Sequence, residues 1–141
     1  VCPARVKLWD GWFRNFFSKK GIQIVEIEPQ EHDRLMATIQ SLRHIIITIL
    51  GSSLMRSNFD LGGNLHISGQ WFRMLIDVLR RQFQQPPQLY VDLLLNNPFV
   101  QEVSRALRRS AEEILNGIES GDKDLLLRLM DDVASYLKGH S

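Results

Sequence analysis

Residues 29–50 read PQEHDRLMATIQSLRHIIITIL, and most of the chain that follows them keeps the same period. Their apolar side chains recur at spacings of three and four, which places them on one face of a long helix. The members of this stripe are Leu35, Ile39, Leu42, Ile46 and Ile49. Pro29 fits the first turn of such a helix, and Gly51 is expected to end or bend it.

Downstream of this helix the same period predicts four more. Residues 52–68 are rich in Asn, Asp and Gly and are predicted to be a loop. The later apolar stripes begin at Phe72, Leu89, Val103 and Leu126. Pro86-Pro87 and Gly121 separate them, and Asp122 is expected to cap the last helix. Residues 29–141 are therefore predicted to be an all-helical domain of about five helices.

Upstream of Pro29 the pattern changes. Apolar residues between Val6 and Phe17 share a helical face, and Gly21 is expected to end that helix. Residues 22–27, IQIVEI, are β-branched and nearly alternate, which predicts a strand. Residues 1–3 are typical of the end of another strand. We therefore predict that residues 1–28 are the closing unit of a parallel α/β sheet and that the chain is part of a longer protein.

Composition excludes several classes of function. The 17 basic and 16 acidic residues leave a net charge of +1, which argues against a nucleic-acid-binding surface. Cys2 is the only cysteine, so we expect no disulfide within the chain and a reducing, cytoplasmic location. The longest apolar run, residues 45–50, is much shorter than the roughly 20 residues of a membrane span, so no membrane partner is expected.

The residues show no complete catalytic constellation. Gly62-Gly63 follows no predicted strand and lacks the spacing of a dinucleotide-binding loop. The four histidines show no metal-ligand spacing. The sequence therefore predicts no catalytic, cofactor-binding or metal site within this chain.

Three polar features allow two interpretations each. His32 fits a polar first turn of the long helix, or a functional role at the start of the domain. His44, with Gln40 one turn earlier, is either a satisfied core histidine or a ligand contact. Arg73, Asp77 and Arg81 are spaced as an ion-pair ladder, which we favour on the pattern alone, but they also suit a guanidinium presented to an anionic ligand.

A resemblance bears on these choices. The runs Glu31-His32-Asp33 and Gln40-Ser41-Leu42-Arg43-His44 resemble the opening of the helical domain of prephenate dehydrogenases, closest to the enterobacterial type fused to chorismate mutase. Three later stretches fall where that family has similar ones, namely Phe72-Arg73 with Arg81, Pro87-Gln88-Leu89-Tyr90-Val91-Asp92 and Gly121-Asp122-Lys123. Residues 1–28 look like the end of its Rossmann-type nucleotide-binding domain.

The resemblance implies oxidative decarboxylation of prephenate or arogenate with NAD or NADP, on a homodimer formed by the helical domains. By position, Arg81 would bind the ring carboxylate, and His44, with Gln40 nearby, would face the substrate or a bound tyrosine. His32 would lie near the domain junction, and Arg73 would support its helix. Because the family's cofactor loop and catalytic residues lie upstream of anything in this sequence, we expect these 141 residues alone to bind no cofactor and to be inactive.

Three alternatives remain open. The chain could be a non-catalytic dimeric module that binds tyrosine or a related ligand. It could also be the helical domain of another dehydrogenase family. A DNA-binding regulator is the third alternative, and the net charge of +1 disfavours it.

Overall fold

The computed structural model describes residues 9–140, which fall into two compact units, one ending at Val100 and the other beginning at Gln101. Within these residues there are seven α-helices and no strand. The helices are α1 (Asp10–Lys19), α2 (Pro29–Arg56), α3 (Leu61–Asn64), α4 (Gln70–Phe83), α5 (Pro87–Asn96), α6 (Val100–Ser120) and α7 (Lys123–Lys138). The prediction of a mainly α fold is confirmed.

Helix α1 ends as predicted, but no strand follows it. Gly21 has a φ of +69°, and the amide of Ile22 donates to the carbonyl of Phe17 at 3.0 Å, as in a Schellman cap. Residues 22–27 have no regular secondary structure, so the predicted strand is wrong. A strand needs a neighbour for its backbone groups, and residues 9–140 offer none. The strand end predicted at residues 1–3 lies outside the described residues.

Helix α2 is continuous over 28 residues, but its middle is wound differently from its ends. The segments Pro29–Met36 and Arg43–Arg56 are α-helical, and Ala37–Leu42 between them is a π-helical turn. Ala37 and Ser41, both in this turn, are almost fully buried. Such turns occur mostly as single interruptions of α-helices, often at functional sites.

Gly51 lies inside α2, so the prediction that the helix could end there is wrong. A Cβ on Gly51 would lie 3.2 Å from Leu79 Cδ2 and 3.3 Å from Phe83 Cε2. The glycine therefore permits the close approach of α4 to α2. The predicted loop over residues 52–68 is also largely wrong, because α2 extends into it and α3 forms within it. Between residue 29 and residue 140 there are consequently six helices, and not about five.

The unit that ends at Val100 has a small core in which polar side chains take part. Its buried apolar residues are Ala37, Ile76, Leu79 and Val100, and its buried polar residues are Ser41, His44 and Gln82. By contrast, large apolar side chains of α2 such as Ile46 and Ile49 are 45% and 50% exposed. This helix therefore brings polar groups to its buried side and leaves apolar surface uncovered.

The second unit is a helical hairpin made of α6 and α7. Gly121, with a φ of +68°, terminates α6, and the Asp122 carboxylate accepts a hydrogen bond of 2.9 Å from the amide of Leu125 at the start of α7. Both features match the prediction. Gly117 faces Leu126 so closely that a Cβ there would lie 2.9 Å from Leu126 Cδ2. The two helices therefore pack closely where this glycine lies.

Candidate functional site

His44 is buried where α2 meets α4, with only 5% of its surface exposed. Its Nδ1 lies 2.8 Å from Oε1 of Gln82 on α4, and its Nε2 lies 3.2 Å from Nη2 of Arg43. The ring of Tyr90, on α5, packs against the imidazole at a centroid distance of 4.5 Å. Side chains of three helices thus hold this one ring in place.

An open cavity of about 280 Å³ lies beside His44. Its lining consists of Arg43, His44, Ile47, Val78, Arg81, Gln82 and Tyr90. Two guanidinium groups and no carboxylate are among these residues, so the cavity attracts anions. The Tyr90 ring and two aliphatic side chains supply apolar surface for a ring or a chain. This combination suits a small organic acid.

Within residues 9–140, Arg81 has no ion-pair partner. The ladder of Arg73, Asp77 and Arg81 does not form, because the Asp77 carboxylate lies 3.4 Å from Nη1 of Arg80 instead. The ladder prediction is therefore wrong. Among the residues that the structure describes, no carboxylate pairs with Arg81. Its planar guanidinium is thus available for two parallel hydrogen bonds to a carboxylate.

The other candidate residues lie apart from this cavity. Gln40 is half-buried in the π-helical turn, one turn before His44, and is not in the lining. His32 is exposed in the first turns of α2, where its Nδ1 lies 3.3 Å from the carboxylate of Asp33. Arg73 donates to the backbone carbonyl of His66 at 2.9 Å and so ties the segment before α4 to that helix.

Gln82, Tyr90 and Arg43 belong to the site although the patterns did not single them out. Gln82 directly follows Arg81 but is uncharged, so it is not part of the pattern of charged residues considered in this helix. Tyr90 and Arg43 lie within stretches that carried the family resemblance, but no spacing along the chain connects them to each other. The three residues come together only because α4 and α5 pack against α2, and a sequence pattern within one helix gives no information about that packing.

Comparison with known proteins gives one family for this chain. Residues 28–132 match the family described as prephenate dehydrogenase, dimerization domain. The chain is 27% identical over 128 residues to a probable arogenate/prephenate dehydrogenase of Methanocaldococcus jannaschii, with 89% of the chain covered. It is 28% identical to the T-protein of Enterobacter agglomerans and 25% identical to the 4-amino-4-deoxyprephenate dehydrogenase of Streptomyces pristinaespiralis, with 99% and 97% of the chain covered.

The match is nearly complete for this chain but not for its relatives. The chain spans 29% of the length of the Methanocaldococcus protein, 38% of the Enterobacter protein and 44% of the Streptomyces protein. The similarity therefore concerns one part of larger proteins, and the family match begins one residue before α2.

Proposed function

Because this chain belongs to the prephenate dehydrogenase family, we propose that it forms the subunit interface and part of the substrate site of a dehydrogenase acting on prephenate or arogenate. The reaction is an oxidative decarboxylation in which a hydride passes to NAD or NADP. The cofactor site and the hydride-transfer chemistry belong to a nucleotide-binding domain, and residues 1–28 are proposed to be the end of that domain. The role proposed for the helical residues 29–141 is to bind and orient the substrate.

The cavity beside His44 carries this proposal. Prephenate and arogenate each bear a carboxylate on the ring and another on the side chain, and the cavity presents two guanidinium groups with no competing acid in its lining. Arg81, which lacks an ion-pair partner among the described residues, binds the ring carboxylate. His44 faces the substrate, with Gln40 one turn earlier on the same helix as a further substrate-binding candidate. His32 lies toward the domain junction, and Arg73 supports α4.

The exposed apolar surface of α2 supports a homodimer. The helix has an 18-residue window with a mean hydropathy of 1.3, of which 17% is buried. An apolar groove of about 660 Å³ adjoins its second half, with Met55, Phe59 and Phe83 in the lining. Uncovered apolar surface of this extent marks an interaction site. Length and composition alone would also fit a membrane span, but the family description as a dimerization domain favours a second copy as the partner.

We place the protein in the cytoplasm, because its single cysteine, Cys2, fits a reducing compartment.

The substitution Arg81→Met tests the substrate site. Titration calorimetry with prephenate on the 141-residue chain should show binding that weakens about 10- to 100-fold in the variant, because a hydrogen-bonded charge pair contributes about 1.5–3 kcal/mol. Arg80→Met is the matched control, since Arg80 is the neighbouring arginine on the same helix and does not line this cavity. Equal effects of the two substitutions, or none from either, would refute the assignment.

A further inference from the structure

Gln82 is a buried amide whose hydrogen bonds all reach α2. Only 6% of its surface is exposed. Its Oε1 faces Nδ1 of His44 at 2.8 Å, while its Nε2 lies 3.4 Å from both the backbone carbonyl of His44 and Oγ1 of Thr48. Thr48 Oγ1 in turn donates to that carbonyl at 2.8 Å. Because a buried amide needs partners at both ends, this network fixes which way the amide points.

The network also fixes the proton on His44. Arg43 can only donate, so the Nε2 atom that faces its Nη2 at 3.2 Å must carry a lone pair. The proton therefore lies on Nδ1, from which it is donated to Oε1 of Gln82. A neutral imidazole with this tautomer presents Nε2 as a hydrogen-bond acceptor. Gln82 thus determines what His44 can recognise, although it acts only through the imidazole.

Arg43 and His44 together form a donor beside an acceptor, and both line the cavity. A carboxylate bound by Arg43 brings the substituent on its α-carbon next to Nε2, because the two side-chain nitrogens are only 3.2 Å apart. Once Arg43 donates to the carboxylate instead of to His44, the lone pair of Nε2 is released and an α-ammonium group can donate to it. An α-keto oxygen would instead place its own lone pair against the lone pair of Nε2. A site that accepts a hydrogen bond from its ligand discriminates strongly against a ligand that has no donor there.

We propose that Gln82 is a positioning residue that keeps His44 as an acceptor, and that the Arg43–His44 pair selects an α-amino acid head group over an α-keto acid. This selectivity rests on the proposed function, and it makes arogenate, and not prephenate, the preferred substrate. Prephenate carries an α-keto group where arogenate carries an α-ammonium group, and the two are otherwise alike. The pair therefore distinguishes them at the one position where they differ.

The test uses two compounds that differ only at this position, L-tyrosine and the keto form of 4-hydroxyphenylpyruvate. Neither has a ring carboxylate, so the measurement is independent of the role given to Arg81. Titration of the 141-residue chain, followed by NMR shifts, should show L-tyrosine binding at least tenfold tighter than the keto acid. Nitrogen shifts of the His44 ring in the unliganded chain should show the proton on Nδ1.

The substitution Gln82→Met removes the acceptor while keeping a long side chain, and it should reduce the preference for L-tyrosine to within about twofold and remove the Nδ1–H signature. Gln84→Met, an exposed glutamine just after α4, should change neither. Circular dichroism of both variants checks that the helices persist. A chain that binds neither compound, prefers the keto acid, carries the proton on Nε2 or keeps its preference in Gln82→Met overturns the inference. The proposed function is refuted by a different result, namely that Arg81→Met weakens prephenate binding no more than Arg80→Met does.

Discussion

The side-chain nitrogen of Asn97 donates a hydrogen bond of 2.7 Å to the backbone carbonyl of Asp33, which lies 64 positions earlier in the chain. The oxygen of the same amide accepts from the amide of Phe99 at 2.9 Å, and the guanidinium of Arg34 lies over the Phe99 ring at 4.6 Å. One side chain therefore connects the turn after α5 to the first turns of α2. This connection holds the start of α2, where His32 lies, to the rest of its unit.

Replacing Asn97 with alanine should lower the free energy of unfolding by about 1–3 kcal/mol, because two hydrogen bonds are lost from a half-buried position. Urea denaturation followed by circular dichroism measures the change. Asn116→Ala is the matched control. Asn116 is exposed within α6, where alanine favours the helix, so this substitution should be neutral or stabilise by about 0.5 kcal/mol. An Asn97→Ala variant as stable as this control would show that the connection contributes little.

Gly51→Ala should destabilise the protein by about 1–3 kcal/mol, although alanine normally favours a helix over glycine. The reason is the approach of Leu79 and Phe83, which the added methyl group would meet at 3.2 and 3.3 Å. Gly11→Ala, within α1, meets no atom of residues 9–140 within 4 Å and should be neutral or stabilising by about 0.5–1 kcal/mol. Thermal and urea unfolding of the two variants compare them directly. An equal gain in stability for both would mean that α4 yields to the extra methyl group at no cost.

Gly121→Ala should cost about 1–2 kcal/mol, because alanine disfavours the positive φ of 68° at this position. Gly139, at the end of α7, has a φ of −73°, so Gly139→Ala should change stability by less than about 0.5 kcal/mol. Both glycines follow a helix in the same unit, and the comparison therefore isolates the backbone conformation. Hydrogen exchange of α6 and α7 amides is the measurement, and faster exchange is expected in Gly121→Ala alone. Similar exchange in both variants would contradict the strain argument.

Ile49→Glu should weaken self-association at least tenfold, since a charge would be buried without a partner if α2 forms the subunit interface. Sedimentation velocity across a dilution series gives the dissociation constant. Gln30→Glu adds the same charge in the first turn of the same helix, at an exposed polar position, and should leave the constant within about threefold. A dimer that persists in Ile49→Glu would place the interface on a different surface. Wild-type chain that associates with vesicles and not with itself would favour the membrane alternative.

Much of the helical framework could be predicted because its signals are local. The apolar periods located the main helices, and Gly21, Gly121 and Asp122 mark helix ends through backbone geometry and capping, which depend on few neighbours. The strand at residues 22–27 was predicted wrongly for the opposite reason. Alternating apolar residues become a strand only where a partner strand accepts their backbone hydrogen bonds, and a sequence pattern does not carry the partner.

The site was predicted only in part, because it depends on contacts between distant positions. His44 and Arg81 were identified through family resemblance, and the cavity brings both together. Gln82 could not be identified from spacing, because its role depends on a hydrogen bond to the imidazole of His44, 38 positions earlier. The charged ladder failed because Asp77 pairs with Arg80, three positions on, instead of with Arg73 or Arg81 four positions away. Both spacings are allowed on a helix, and periodicity does not choose between them.

The π-helical turn over Ala37–Leu42 affects how this protein should be aligned with its relatives. Each residue added to an α-helix rotates everything beyond it by about 100°, whereas a π-helical turn accommodates an extra residue without ending the helix. A relative whose helix is α-helical throughout would therefore need one residue fewer between His32 and His44 to aim both side chains in the same directions. A one-residue gap between these histidines in a pairwise alignment would then reflect a difference in how far the helix has turned about its axis. Placing that gap within residues 37–42 would align side chains that point in the same direction.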